Sequence, residues 1–181
     1  MSPVRKIQLK VGRFNLKKEK KKLYRKTIAC NLETANTIGI LYNATQREEC
    51  ELIKNLVIEL KQLKKDVLAL GYVDLKDSSD IFKPHISYAY FDNKNLNKAL
   101  IPKSLDVTSF IEKPFSLLID LNLNNDFPLE YIASLSNATF KVGATGAYRD
   151  EDFDLTIHIA ENNSPKYLIS QIMHYLSMIK P

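Results

Sequence analysis

The stretch TIGILYNATQREECELIKNLVIELKQLKKDVLALGY, residues 37–72, decides the fold. It opens on Thr37-Ile38-Gly39-Ile40-Leu41-Tyr42, a short apolar run suited to a strand buried on both faces. Thr45 and Glu48 then have the S/T-x-x-E spacing of a capping box, which predicts a helix start. Across residues 46–65 the apolar positions Cys50, Ile53, Leu56, Val57, Leu60 and Leu63 fall on one helical face. Val67-Leu68-Ala69-Leu70-Gly71-Tyr72 is a second continuous apolar run. Strand, crossover helix and strand make a βαβ unit, so the two strands are expected to be parallel.

The same alternation continues toward the C-terminus. Residues 74–83 read as a polar loop and 86–91 as a third strand. One or two helical turns follow at 106–113, stopped by Pro114. Residues 115–121 are the strongest strand in the chain. Asp126-Phe127-Pro128 marks a helix start, with proline near the first helical position. Short strands are expected at 139–142 and 153–159, around a loop at 144–152. Ser164-Pro165 caps a last helix with Leu168, Ile172, Leu176 and Ile179 on one face. Apolar strands alternating with helices predict a three-layer Rossmann-like α/β sandwich with a mostly parallel sheet. This body spans residues 36–181, and a basic N-terminal arm precedes it at 1–35.

The arm carries the strongest charge signal. The chain has 26 Lys and Arg against 21 Asp and Glu, a formal net charge of +5. Eleven of those cations and one acid, Glu19, lie in the first 26 residues, so the arm is strongly cationic and the remainder mildly acidic. Blocks of one sign are often interaction tails, and such an arm suits nucleic acid or an anionic membrane face. Val4, Ile7, Val11 and Phe14 trace one helical stripe. Gly12 interrupts that stripe at about 1 kcal/mol relative to Ala, so the helix is expected to order only against negative charge. The expected RNA contacts are Arg5, Lys6, Lys10, Arg13, Lys17, Lys18, Lys20, Lys21, Lys22, Arg25 and Lys26 to phosphate, with Tyr24 and Phe14 able to stack on bases.

Several function classes are argued against. No G-x-G-x-x-G follows the first strand, and no P-loop or G-x-S-x-G elbow occurs. No run approaches the roughly 20 apolar residues of a bilayer span. The basic N-terminus lacks the apolar run of a secretory signal. Cys30 and Cys50 have no metal or redox spacing, so both are expected to be reduced and structural, in a cytoplasmic protein. His85, His158 and His174 match no metal motif. Asp74 and Asp120 fall at the carboxyl ends of expected parallel strands, where open α/β sheets bind ligands. They suit either turn duty or acid–base and metal chemistry. Asp150, Glu151, Asp152 and Asp154 read as a solvated acidic rim around a loop.

Residues 115–121, 128–138 and 140–143, with Thr37-Ile38-Gly39-Ile40 and His174-Tyr175-Leu176, resemble a family of small, uncharacterised Bacteroidetes proteins with a Rossmann-like fold. In size and basic extension the chain is also similar to a Bacteroidetes-specific large-subunit ribosomal protein. That resemblance implies a non-catalytic, ribosome-associated role in translation, with rRNA and neighbouring ribosomal proteins as partners. It implies no cofactor, metal, membrane or small-molecule substrate. The strand–helix–strand phrase at 115–143 also looks like the N-terminal half of heptosyltransferase-type glycosyltransferases, which implies a transferase site lacking its second Rossmann-like domain. The alternative function is therefore a degenerate glycosyltransferase-like or nucleotide-binding module, with a site near Asn43, Asp74, His85 and Asp120. A membrane-surface adaptor using the arm is a third.

Overall fold

A computed structural model describes residues 2–76, 85–146, 148–159 and 162–180. Among the described residues six strands form one sheet: β1 (Thr37–Asn43), β2 (Asp66–Val73), β3 (Tyr88–Asp92), β4 (Leu117–Asp120), β5 (Lys141–Ala144) and β6 (Leu155–Ile157). Their order is β3-β2-β1-β4-β5-β6 and every neighbouring pair is parallel. This is the doubly wound arrangement, with its topological switch point between β1 and β4. The expected α/β sandwich is the observed fold. The loop expected at 74–83 lies outside the described residues from 77 onward.

Among the described residues six α-helices accompany the sheet: α1 (Pro3–Lys20), α2 (Arg47–Gln62), α3 (Leu105–Glu112), α4 (Phe127–Leu135), α5 (Arg149–Asp152) and α6 (Pro165–Met178). The sheet's two faces build separate cores. On one, Ile38, Ile40, Val67, Leu117 and Val142 meet Ile53, Val57 and Leu60 of α2 and Leu168, Ile172 and Leu176 of α6. On the other, Leu41, Leu70 and Leu118 meet Val107 and Phe110 of α3 and Leu129 and Ile132 of α4. Both faces of each central strand are covered, which is why those strands read as unbroken apolar runs.

Local chemistry shifts some boundaries. The capping box at Thr45 does not form: the residue preceding α2 is Gln46, with no side-chain cap. Thr45 Oγ1 instead accepts the Asp74 N–H at 2.9 Å, tying the end of β1 to the end of β2. The helix stops before 65 because Lys64 takes a left-handed conformation, φ 59°. The Lys65 N–H then folds back to the Leu60 carbonyl at 3.1 Å, satisfying an end carbonyl. The expected loop at 144–152 contains the short helix α5.

Candidate nucleic-acid interface and the sheet crevice

The arm is a helix seated on the body. Ser2 caps α1 by accepting the Arg5 N–H at 3.3 Å, and Pro3 fills the first turn, where its missing N–H costs nothing. Lys17, Lys18 and Lys20 sit in the last turn, where the helix dipole favours cations. Leu16 and Gly12 are buried and Leu9 half-buried, against Ala99, Ile101, Phe127 and Tyr131. The docked face is thus Leu9–Gly12–Leu16, and the Val4–Ile7–Val11–Phe14 stripe faces solvent. Gly12 is no defect: a Cβ there would lie 2.6 Å from the Phe127 ring and against the Ala99 carbonyl oxygen. Its bare backbone permits a close approach that any other residue would prevent.

The negative charge that orders the arm comes from the body itself. Arg13 Nη2 pairs with Glu130 Oε2 at 3.3 Å. Lys20 Nζ pairs with Asp152, whose other oxygen accepts the Ser134 hydroxyl. Arg25 grips Asp154 with both terminal nitrogens, at 2.7 and 2.8 Å, and Asp154 also accepts Thr27 Oγ1 and the Lys141 N–H. Burial pushes the Asp154 carboxyl up, but Arg25 and the Lys141 N–H overcome it and hold the group below its usual range. Asp152 and Asp154 are therefore latches for the arm, which corrects their reading as a solvated rim. Beyond Arg25, the Ile28 N–H donates to the Thr139 carbonyl at 3.0 Å.

These contacts sort the expected RNA-binding residues. Arg13, Lys20 and Arg25 are engaged by body carboxylates. Lys22 pairs with Glu19 at 2.8 Å, both well exposed, so that bond holds it weakly. Arg5 lines a 140 Å³ cavity with Tyr72, Leu100, Asp126 and Phe127. Lys6, Lys10, Lys17, Lys18, Lys21 and Lys26 are exposed and make no ion pair with a described residue. Lys17 and Lys21 border a 440 Å³ groove between α1 and the body, and Tyr24 is 96% exposed.

At the sheet's carboxyl edge, polar groups satisfy one another. Asn43 Nδ2 donates to Asp126 Oδ2 at 2.9 Å, and its Oδ1 accepts the Thr45 N–H. Asp74 accepts Asn93 Nδ2 at 2.9 Å and the Tyr72 hydroxyl at 3.2 Å. Burial raises the Asp126 carboxyl; Asn43 opposes that and nearby Asp74 reinforces it. Asp120 is sealed beneath the edge: it accepts the Tyr148 hydroxyl at 2.6 Å, the Asn122 N–H at 3.0 Å and Arg149 Nη1 at 3.4 Å. Burial pushes the Asp120 carboxyl up against the pull of Arg149 and Tyr148. His85 precedes β3 and bridges to Tyr88, which puts it at the amino edge of a parallel sheet. It is therefore not grouped with Asn43, Asp74 and Asp120. Among the described residues no cluster of three or more His, Cys, Asp or Glu is placed to hold a metal ion.

Sequence reasoning missed Lys141, Tyr148, Arg149 and Asn122. Lys141 is 1% exposed, and its Nζ donates to the Ala133 and Ser134 carbonyls at 2.8 and 3.1 Å. Burial, helped by nearby Arg25, pushes its amine down to about 7. The one available signal was a lysine opening an apolar strand. Arg149 donates to the Ala144 and Asn122 carbonyls as well as to Asp120. Asn122 Nδ2 has no hydrogen-bond partner among the described residues. Among the described residues no helix is long and apolar enough to cross a membrane.

A family model described as "Family of unknown function (DUF6913)" matches residues 8–179, and the chain belongs to that family. The match takes in most of α1 with the whole sheet. No curated protein and no solved structure matches the chain.

Proposed function

We propose that this member of the DUF6913 family is a non-catalytic RNA-binding protein that holds the phosphate backbone with the C-terminal half of its arm. The observation that carries this reading is the set of exposed lysines with no carboxylate partner among the described residues, on and just beyond a helix fixed to a folded body. Lys17, Lys18, Lys21 and Lys26 supply the phosphate contacts, and exposed Tyr24 supplies a stacking platform. The arm's order is already secured by Glu130, Asp152 and Asp154, so RNA does not have to fold it, and less conformational entropy is lost on binding. Structured rRNA of the large ribosomal subunit is the proposed target, with the acidic body facing neighbouring proteins. A non-catalytic role is consistent with Asn43, Asp74 and Asp120 each being engaged by neighbours within the fold.

Binding to purified rRNA over a salt series tests it. Counterion release makes log K fall with log salt by about 0.7–0.9 per phosphate neutralised. Replacing Lys17, Lys18, Lys21 and Lys26 by Gln should flatten that slope by roughly 3. An unchanged slope would remove the arm from the interface.

A further inference from the structure

The outward side of α1 has a second feature, which phosphate binding leaves unused. Val4, Ile7, Val11 and Phe14 are 64, 63, 48 and 71% exposed. At 100° per residue their row lies roughly opposite the Leu9–Gly12–Leu16 face that grips the body, so it points away from the molecule. It extends about 15 Å along the helix. Lys6 and Lys10 flank it, exposed and free of ion pairs with described residues. Residues 2–18 contain no acid.

We infer that this N-terminal half of α1 seats on an anionic lipid surface. Three aliphatic side chains and a phenyl ring in a row match the acyl boundary of a bilayer, and lysines beside them reach lipid phosphates with their stems laid along apolar surface. One partner thus satisfies both rows. An RNA backbone offers no apolar surface to cover Val4, Ile7 and Val11. A second copy of the chain would bring like-charged lysines together. The helix is already formed and clamped through Gly12, so it does not fold at the membrane, unlike an isolated amphipathic segment. Each lysine near an anionic surface strengthens attachment about fivefold. The row ends at Phe14, one turn before Lys17 and Lys18, and the other proposed RNA contacts, Lys21, Tyr24 and Lys26, lie beyond the helix, so either assignment can fail alone.

Co-sedimentation of the full chain with phosphatidylcholine vesicles, with and without about one-third phosphatidylglycerol, tests the inference. The chain should pellet with the anionic vesicles alone and be released by salt. The double substitution Ile7→Ser with Val11→Ser should weaken binding at least about tenfold while leaving the melting temperature and rRNA binding unchanged. Lys6→Gln with Lys10→Gln should weaken it about 25-fold, from two lysines at about fivefold each. Equal pelleting with neutral and anionic vesicles, or anionic binding undiminished by the two serines, would overturn the inference. So would loss of rRNA binding in the serine variant of a chain that ignores vesicles, which would assign the row to the RNA interface.

Discussion

Replacing Gly12 by alanine opposes two well-understood effects on one residue. Helix propensity alone favours Gly12→Ala by about 1 kcal/mol. The tertiary contact opposes it, since the new Cβ would sit 2.6 and 2.7 Å from two Phe127 ring carbons and against the Ala99 carbonyl. Phe127 is itself buried and lies edge-on to Tyr131, so the ring has little room to move. Overpacking of this kind costs about 1–3 kcal/mol. Lifting the helix to relieve it would forfeit the burial of Leu16, worth about 1.5–3 kcal/mol, and loosen the Arg13–Glu130 pair. Contacts this short, one of them to backbone, put the cost at about 2–3 kcal/mol, so after the propensity gain the docked state is weaker by roughly 1–2 kcal/mol, a 5- to 30-fold rise in the open population. Trypsin finds many lysines in the arm, so its cleavage rate there, below the limit where cleavage outpaces reclosing, reads that population directly. Amide exchange of residues 3–20 should accelerate in parallel. A peptide of residues 1–26 should respond in the opposite sense, gaining helicity with alanine. If the variant chain were cleaved no faster than the original, intrinsic propensity would outweigh the close approach and the seating of α1 would be wrong.

Two further outcomes follow from the latches and the buried lysine. Arg25→Ala leaves Asp154 largely buried without its bidentate partner and should destabilise the arm's attachment by roughly 2–4 kcal/mol. Because Asp154 titrates below its unfolded value, its contribution is complete above pH of about 4 and is lost as pH falls through the folded value. The unsubstituted chain should therefore show an acid-induced opening of the arm, read as amide exchange of residues 3–20 relative to the intrinsic rate, and the Arg25→Ala chain, already weakened at neutral pH, should lack that step. Lys141 titrates at about 7 in the fold and near 10.4 unfolded, so between those values the unfolded chain binds the extra proton. Stability must then rise with pH across that window. Lys141→Met should remove one proton's worth of that slope in thermal melts run from pH 7 to 10, and equal slopes in the two chains would refute the low value.

Residue order alone carries the layered α/β body, because helix and strand periods are local. Residues 37–72 carried a buried strand, a one-faced helix and a second strand in near neighbours, and a parallel crossover is the way such a unit closes. The break at Lys64 and the failed cap at Thr45 were not legible, since each depends on a hydrogen bond whose alternatives are decided by the fold. The arm's two faces illustrate the same limit. Leu9–Gly12–Leu16 and Val4–Ile7–Val11–Phe14 both recur at helical spacing, and composition favours the second as the buried one. Packing selected the first, because a missing side chain at Gly12 lets two backbones meet over Phe127. Likewise the opposite signs of residues 1–26 and 150–154 were visible in the chain. That Lys20 meets Asp152 and Arg25 meets Asp154, 132 and 129 positions apart, was decided only by the tertiary structure, because charge is long-ranged and unspecific until a fold sets the distances.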